Sequence, residues 1–161
     1  MVERERHTIA AVHFENGYRL LLEGKLEEAI EAYKVSIETV PSARSHAYLG
    51  WAYSMQGKYE EAIEECYNAI ELDPDFGIAY NDIGSYLMSL SRFSEAVDWL
   101  EKAVLLENYK QKYHPFCNLA LIFEKKGEWL LAMDYYKRAL LLNPDYETAQ
   151  TGVLRLTTLL N

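Results

Sequence analysis

The stretch ARSHAYLGWAYSMQGKYEEAIEECYNAIELDPDF, residues 43–76, decides how the rest of the chain is read. It contains two apolar-periodic segments of helical length, parted by Gln56-Gly57-Lys58 and closed by Pro74. Working outward from it, the same landmarks recur. Gly50-Trp51 aligns with Gly17-Tyr18, Gly84-Ser85 and Ala120-Leu121, and Ala62 aligns with Ala29, Ala96 and Ala132 at intervals of 33, 34 and 36 residues. A second small residue recurs at Ser36, Ala69, Ala103 and Ala139. The central break returns as Glu23-Gly24-Lys25, Leu90-Ser91-Arg92 and Lys126-Gly127-Glu128, and units close at Pro41, Pro74 and Pro144, with Asn108 standing in for the third. The chain is therefore expected to be all-α, a helix, turn, helix, turn unit written four times.

Each landmark has a mechanical role. Small residues on both helices of a pair let the backbones approach where a larger side chain would wedge them apart. Glycine after the first helix supplies the left-handed conformation that ends it, and proline after the second cannot continue it. Glu27-Glu28 and Glu60-Glu61 fall in the first turn of their helices, where the helix dipole favours negative charge.

The pattern resembles the tetratricopeptide repeat, whose unit is about 34 residues long, over roughly residues 10–146. The resemblance implies a right-handed superhelical solenoid of antiparallel helix pairs. One domain, 1–161, would comprise repeats at approximately 10–42, 43–76, 77–112 and 113–146, with residues 3–9 lengthening the first helix. A capping helix over 147–160 places Ala149, Val153, Leu156 and Leu160 on one face to cover the last repeat. Leu154 lies off that face and Leu159 at its edge, which leaves room for a weak homodimer.

In the family so resembled, first helices line a concave groove that holds a protein or peptide. Carried over position by position, the groove set is Phe14 and Tyr18, then Arg44, Tyr48 and Trp51, then Asn81, Asp82 and Ser85, then Asn118. It reads as aromatic at its amino-terminal end and polar in its carboxy-terminal half, suited to an extended or helical peptide. Phe14, Tyr48 and Trp51 either line this channel or pack between repeats. Some members grip chaperone tails through lysine, arginine and asparagine, but the matching positions here are Phe14, Tyr18, Tyr48, Ile78 and Asp82, so that role is not expected. The junction 107–115 carries two extra residues and no terminating proline. Its Tyr109, Lys110, Lys112 and Tyr113 form a basic, aromatic cluster that is either a second contact site or a tolerated loop extension.

Composition narrows the partner. Sixteen basic against 25 acidic residues, a net charge of −9, repel phosphate backbones and anionic membranes. The partner expected is a protein or peptide, with no nucleic acid and no membrane insertion. Cys66 and Cys117 stand apart without a Cys-x-x-Cys pattern and suit a reducing compartment. With no apolar leader in Val2-Glu3-Arg4-Glu5-Arg6, a cytoplasmic protein is expected. No phosphate loop, nucleophile elbow or His-Glu-x-x-His run is present, so neither catalysis, a cofactor nor a metal is expected. His13 and His46 share a repeat position with Tyr80 and Phe116, which marks packing rather than ligation, and Cys117 with His114 lacks a third group to orient it. The sequence thus points to a protein-interaction scaffold or adaptor, or alternatively to a structural subunit that assembles through its end helix or outer face.

Overall fold

The same chain-stopping device, used four times, shapes the molecule. The computed structural model describes residues 2–160, and the outermost positions of the expected 1–161 domain lie outside them. Nine helices and no strands form among the described residues: α1 (Val2–Leu22), α2 (Leu26–Thr39), α3 (Ala43–Met55), α4 (Tyr59–Leu72), α5 (Gly77–Ser89), α6 (Phe93–Leu105), α7 (Tyr113–Lys125), α8 (Trp129–Leu142) and α9 (Glu147–Leu160). Each odd helix up to α7 ends in a residue of positive φ: Gly24 (75°), Gly57 (75°), Ser91 (59°) and Gly127 (76°). The amide three residues past the end then reaches back to the last turn, Lys25 to Leu20, Lys58 to Tyr53, Arg92 to Leu87 and Glu128 to Phe123, at 2.8–3.0 Å. That closure satisfies carbonyls the helix end would orphan and turns the chain back on itself. Ser91 performs the turn without the conformational freedom of glycine.

Even helices stop differently. Val40, Asp73 and Asn143 are extended, and each precedes a proline, which disfavours helical backbone in the residue before it. Leu106, with no proline after it, ends α6 with extended ψ instead and leads into the longer connection.

Packing within each pair follows from the small residues. Ala29, Ala62, Ala96 and Ala132 are fully buried, as are Ala69, Ala103 and Ala139. Ser36, the polar member of the second set, donates from Oγ to the Ala10 carbonyl at 2.9 Å, so its hydroxyl is satisfied inside the core. A Cβ on Gly84 would sit 2.5 Å from Leu100, and one on Gly152 would sit 2.4 Å from the Tyr136 ring. Successive odd helices touch one another, α1 with α3, α3 with α5 and α5 with α7, which places them on the inside of the curve.

The amino-terminal extension belongs to α1, as expected, with Arg6 donating to the Thr39 carbonyl at 2.6 Å. At the other end α9 lies on α8 and buries Ala149, Gly152 and Leu156, whereas Leu160, expected on the same face, is exposed. Arg155 clasps this helix to its neighbours through paired bonds to Glu124 at 2.6 and 2.7 Å, and Tyr136 donates to the same carboxylate at 2.8 Å. The Arg155 guanidinium and the Tyr136 hydroxyl together hold the Glu124 carboxyl below its usual range.

Two substitutions should move stability in opposite directions. Ser91→Gly relieves the left-handed backbone and is expected to raise the urea midpoint by the equivalent of about 0.5–1 kcal/mol. Gly84→Val drives into Leu100 and is expected to lower it by about 1–3 kcal/mol, or more if the helices part.

Candidate functional site

Because odd helices line the inside of the curve, side chains on their inner faces meet there. At the amino-terminal end an aromatic cluster forms around Tyr48. Its ring meets Phe14 at 5.0 Å, Tyr18 at 5.7 Å and Trp51 at 5.8 Å between centroids, all edge to face, a geometry worth about 0.5–1.5 kcal/mol per pair beyond simple burial. Exposure divides the cluster. Phe14 is 5% exposed and belongs to the core, Tyr18 and Tyr48 are half-buried, and Trp51 is 39% exposed. Phe14 therefore supports the groove from beneath and offers no surface to a ligand. The Arg44 guanidinium lies 4.2 Å from the centre of the Phe14 ring and 3.9 Å from Glu15, so both its charge and its flat face already have partners.

Further along, a hollow of about 480 Å³ opens between α3 and α5, walled by Tyr48, Trp51, Met55, Ile78, Asp82, Ser85 and Tyr86. A second, of about 440 Å³, is lined by Ile78, Asn81, Asp82, Tyr109, Gln111, Tyr113 and His114. Ile78 and Asp82 border both hollows, so the two adjoin along the inner side with Asp82 at the join. Asn118 donates to Asn81 at 3.0 Å, and Asn81 donates to the Asp82 carboxylate at 3.4 Å. Burial drives the Asp82 carboxyl up to about 7, against only weak opposition from the Asn81 amide.

The cluster expected around the 107–115 junction is divided. Tyr109 is 6% exposed and turns inward over Gly77, where an added Cβ would fall 2.2 Å from its ring. Two extra residues and the missing proline let the connection fold back, so Tyr109 closes the end of the channel instead of presenting a surface. Lys110 is exposed, while Lys112 and Tyr113 are half-buried at the start of α7.

Cys117 is buried rather than groove-facing, and burial pushes its thiol up to about 12. In three of the four repeats the shared position of the two histidines packs the first helix onto its second: His46 meets Glu65 at 2.6 Å, and the rings of Tyr80 and Phe116 lie tilted against Trp99 and Tyr135 at 5.7 and 6.2 Å between centroids. No cluster of three or more metal-ligating side chains occurs among the described residues. No helix among them is long and apolar enough to cross a membrane.

Met55 and Tyr86 were not among the groove positions read from sequence, yet both wall the larger hollow. Each lies four residues beyond a groove position, Trp51 or Asp82, and the i, i+4 rule of helix faces is the signal that finds them.

Family models for the tetratricopeptide repeat match residues 43–76 and 115–146, and a second such model matches residues 78–106. The chain belongs to the tetratricopeptide repeat family. Its fold is similar to pilF of Pseudomonas aeruginosa, with a TM-score of 0.86 and 24% identity over 94% of this chain and 69% of that one. It is also similar to PilW, a type IV pilus biogenesis factor, at 0.83 and 19% over 94% and 70%. At those identities the likeness concerns the fold. The second tetratricopeptide repeat domain of Spaghetti (RPAP3), solved with the HSP90 peptide SRMEEVD, is 32% identical, with a TM-score of 0.61 over 65% of this chain and 97% of that one. No curated protein sequence matches. The tetratricopeptide solenoid is a protein-interaction fold, and that role is the coarse function of this chain.

Asp82 also makes a prediction about stability. The folded state holds its proton more tightly than an unfolded chain does, so this group lowers stability as pH rises from the ordinary aspartate value of 3.8 to about 7. Asp82→Asn should therefore raise the melting temperature at pH 8, by the equivalent of roughly 1–3 kcal/mol, and do so less at pH 5. Melting curves of both proteins at the two pH values check this.

Proposed function

We propose that this chain is an adaptor, a single array over residues 1–161, that grips a segment of another protein along its concave channel without catalysing a reaction. The observation that carries this is the pair of adjoining hollows running from Trp51 to His114, left open by the chain's own side chains and lined by an exposed aromatic at one end and the amides of Asn81 and Gln111 at the other. An aromatic anchor offers large contact area, and amides can pair with an extended peptide backbone. Tyr18, Tyr48, Trp51, Asn81, Asp82, Ser85 and Asn118 form the contact set in this reading, with Phe14 and Arg44 bracing it and Lys110, Lys112 and Tyr113 at its carboxy-terminal lip.

The HSP90 peptide held by Spaghetti (RPAP3) ends in Glu-Glu-Val-Asp. A tail of that charge would meet Asp82 here, with no lysine or arginine at the matching groove positions apart from the already engaged Arg44. The favoured partner is therefore of another kind.

A second reading rests on the end helix. Leu154 is 69% exposed and Leu159 is also exposed on α9, a face through which two copies, or a fixed partner subunit, could dock.

Affinity capture with the Tyr18→Ala, Trp51→Ala double variant separates the two. The variant should keep its helical circular dichroism and its mass while losing a partner retained by the unaltered chain, at about tenfold or greater loss of affinity. Equal capture by both proteins would defeat the groove reading, and a dimer mass abolished by Leu154→Lys would favour the second.

A further inference from the structure

Among the described residues, Asp82 is a carboxylate with no cation to meet it, and its only side-chain hydrogen bond there is the long one from Asn81. The elements around it supply none: α3 brings Tyr48 and Trp51 to the channel, α4 the buried Cys66 thiol, α7 Asn118 and His114, and the α6–α7 connection Tyr109. Burial pushes His114 towards its neutral form, and its Nδ1 lies 3.2 Å from the Tyr146 hydroxyl. An ionised carboxylate in such a place is costly unless a positive group pairs with it.

Resting on the groove reading above, we propose that the channel selects an extended basic peptide segment, seating a lysine or arginine side chain on Asp82. The apolar hollow between Trp51 and Met55 takes an aliphatic or aromatic residue of the same segment. Alternate side chains of an extended peptide face one way, so the apolar and basic residues are separated by an odd number of residues. Asn81, held by Asn118, and Gln111 line the hollow beyond Asp82 and meet the peptide backbone past the basic residue. Charge at long range agrees, since a chain of net charge −9 attracts a cationic segment before contact. An acidic segment meets repulsion at Asp82, which supplies discrimination as well as affinity.

Seating a cation requires the ionised carboxylate. Because burial raises the Asp82 carboxyl to about 7, binding draws a proton off it, and affinity for a basic peptide strengthens from pH 6 to pH 8. Deprotonation of any protonated His114 over the same range acts in the same direction, so the pH profile is read alongside that of Asp82→Asn.

An immobilised random decapeptide library, probed with the unaltered chain, Asp82→Asn and Trp51→Ala, tests the idea. Lysine and arginine should be enriched among peptides retained by the unaltered chain, and Asp82→Asn should lose that enrichment while keeping the apolar preference. A lysine peptide from the retained pool should bind Asp82→Asn at least about tenfold more weakly. General attraction to an acidic chain would survive the loss of one charge, so it would leave the enrichment in the variant. A pool without basic enrichment, or one unchanged by Asp82→Asn, overturns this inference. The groove reading then stands if Trp51→Ala loses the pool. Retention of no peptide at all, or a pool indifferent to both variants, overturns the groove reading and this inference together. Should Asp82→Asn not fold, Asp82→Ser replaces it in the comparison, and a pool from the unaltered chain without basic enrichment overturns the inference without either variant.

Discussion

Close approach of paired helices is the constraint on which everything else in this molecule depends. Ala29, Ala62, Ala96 and Ala132 are buried completely because each faces a helix too near to admit a larger side chain. Where the first helix carries glycine, the second can afford bulk, as Gly84 does for Leu100 and Gly17 for Tyr33. Paired helices this tight turn each repeat into a thin slab, and stacking slabs brings the odd helices together on the inner side. The channel is a by-product of that stacking. It exists because the inner faces are spared from core duty, which leaves positions such as Trp51, Asp82 and Ser85 free to differ from repeat to repeat.

The periodic part of this was readable from the sequence. Glycine at 24, 57 and 127, alanine at 29, 62, 96 and 132, and proline at 41, 74 and 144 each answer a local geometric demand, and local demands leave local signatures. Ser91 shows how far the period reaches, since its place there marked a break between helices, although the left-handed backbone that serine adopts to make it was visible only in the structure. What stayed hidden depended on contacts across repeats. Phe14 and Trp51 are both large aromatics on inner-facing helices, and only the packing of Tyr33 and Tyr48 around Phe14 separates a core residue from a surface one. Arg44 is similar: its engagement with Phe14 and Glu15 spans two repeats, and spacing could not reveal it. Tyr109 sits outside the period altogether, so the pattern had nothing to say about the direction its ring takes.

The two halves of the channel obey different chemistry. Around Tyr48, edge-to-face rings hold one another rigid, so an incoming side chain loses freedom but the wall does not. Around Asp82 the amides of Asn81 and Asn118 are bonded in a short chain that ends on a carboxylate. The rigid half suits shape recognition, and the polar half suits recognition by charge and hydrogen bonding. A single extended segment crossing both would be read twice, by two independent criteria.

The packing of Tyr109 over Gly77 carries a further consequence for how the array can be altered. The ring occupies the space that any side chain at 77 would need, so the third repeat is completed by a residue lying beyond its own second helix. Its repeats are therefore not interchangeable bricks. Replacing the third by a copy of the second would put alanine, the residue at position 43, where Gly77 stands, and would expel the ring unless the connection were exchanged as well. The unit of inheritance and of engineering at this point is the repeat together with the junction that follows it.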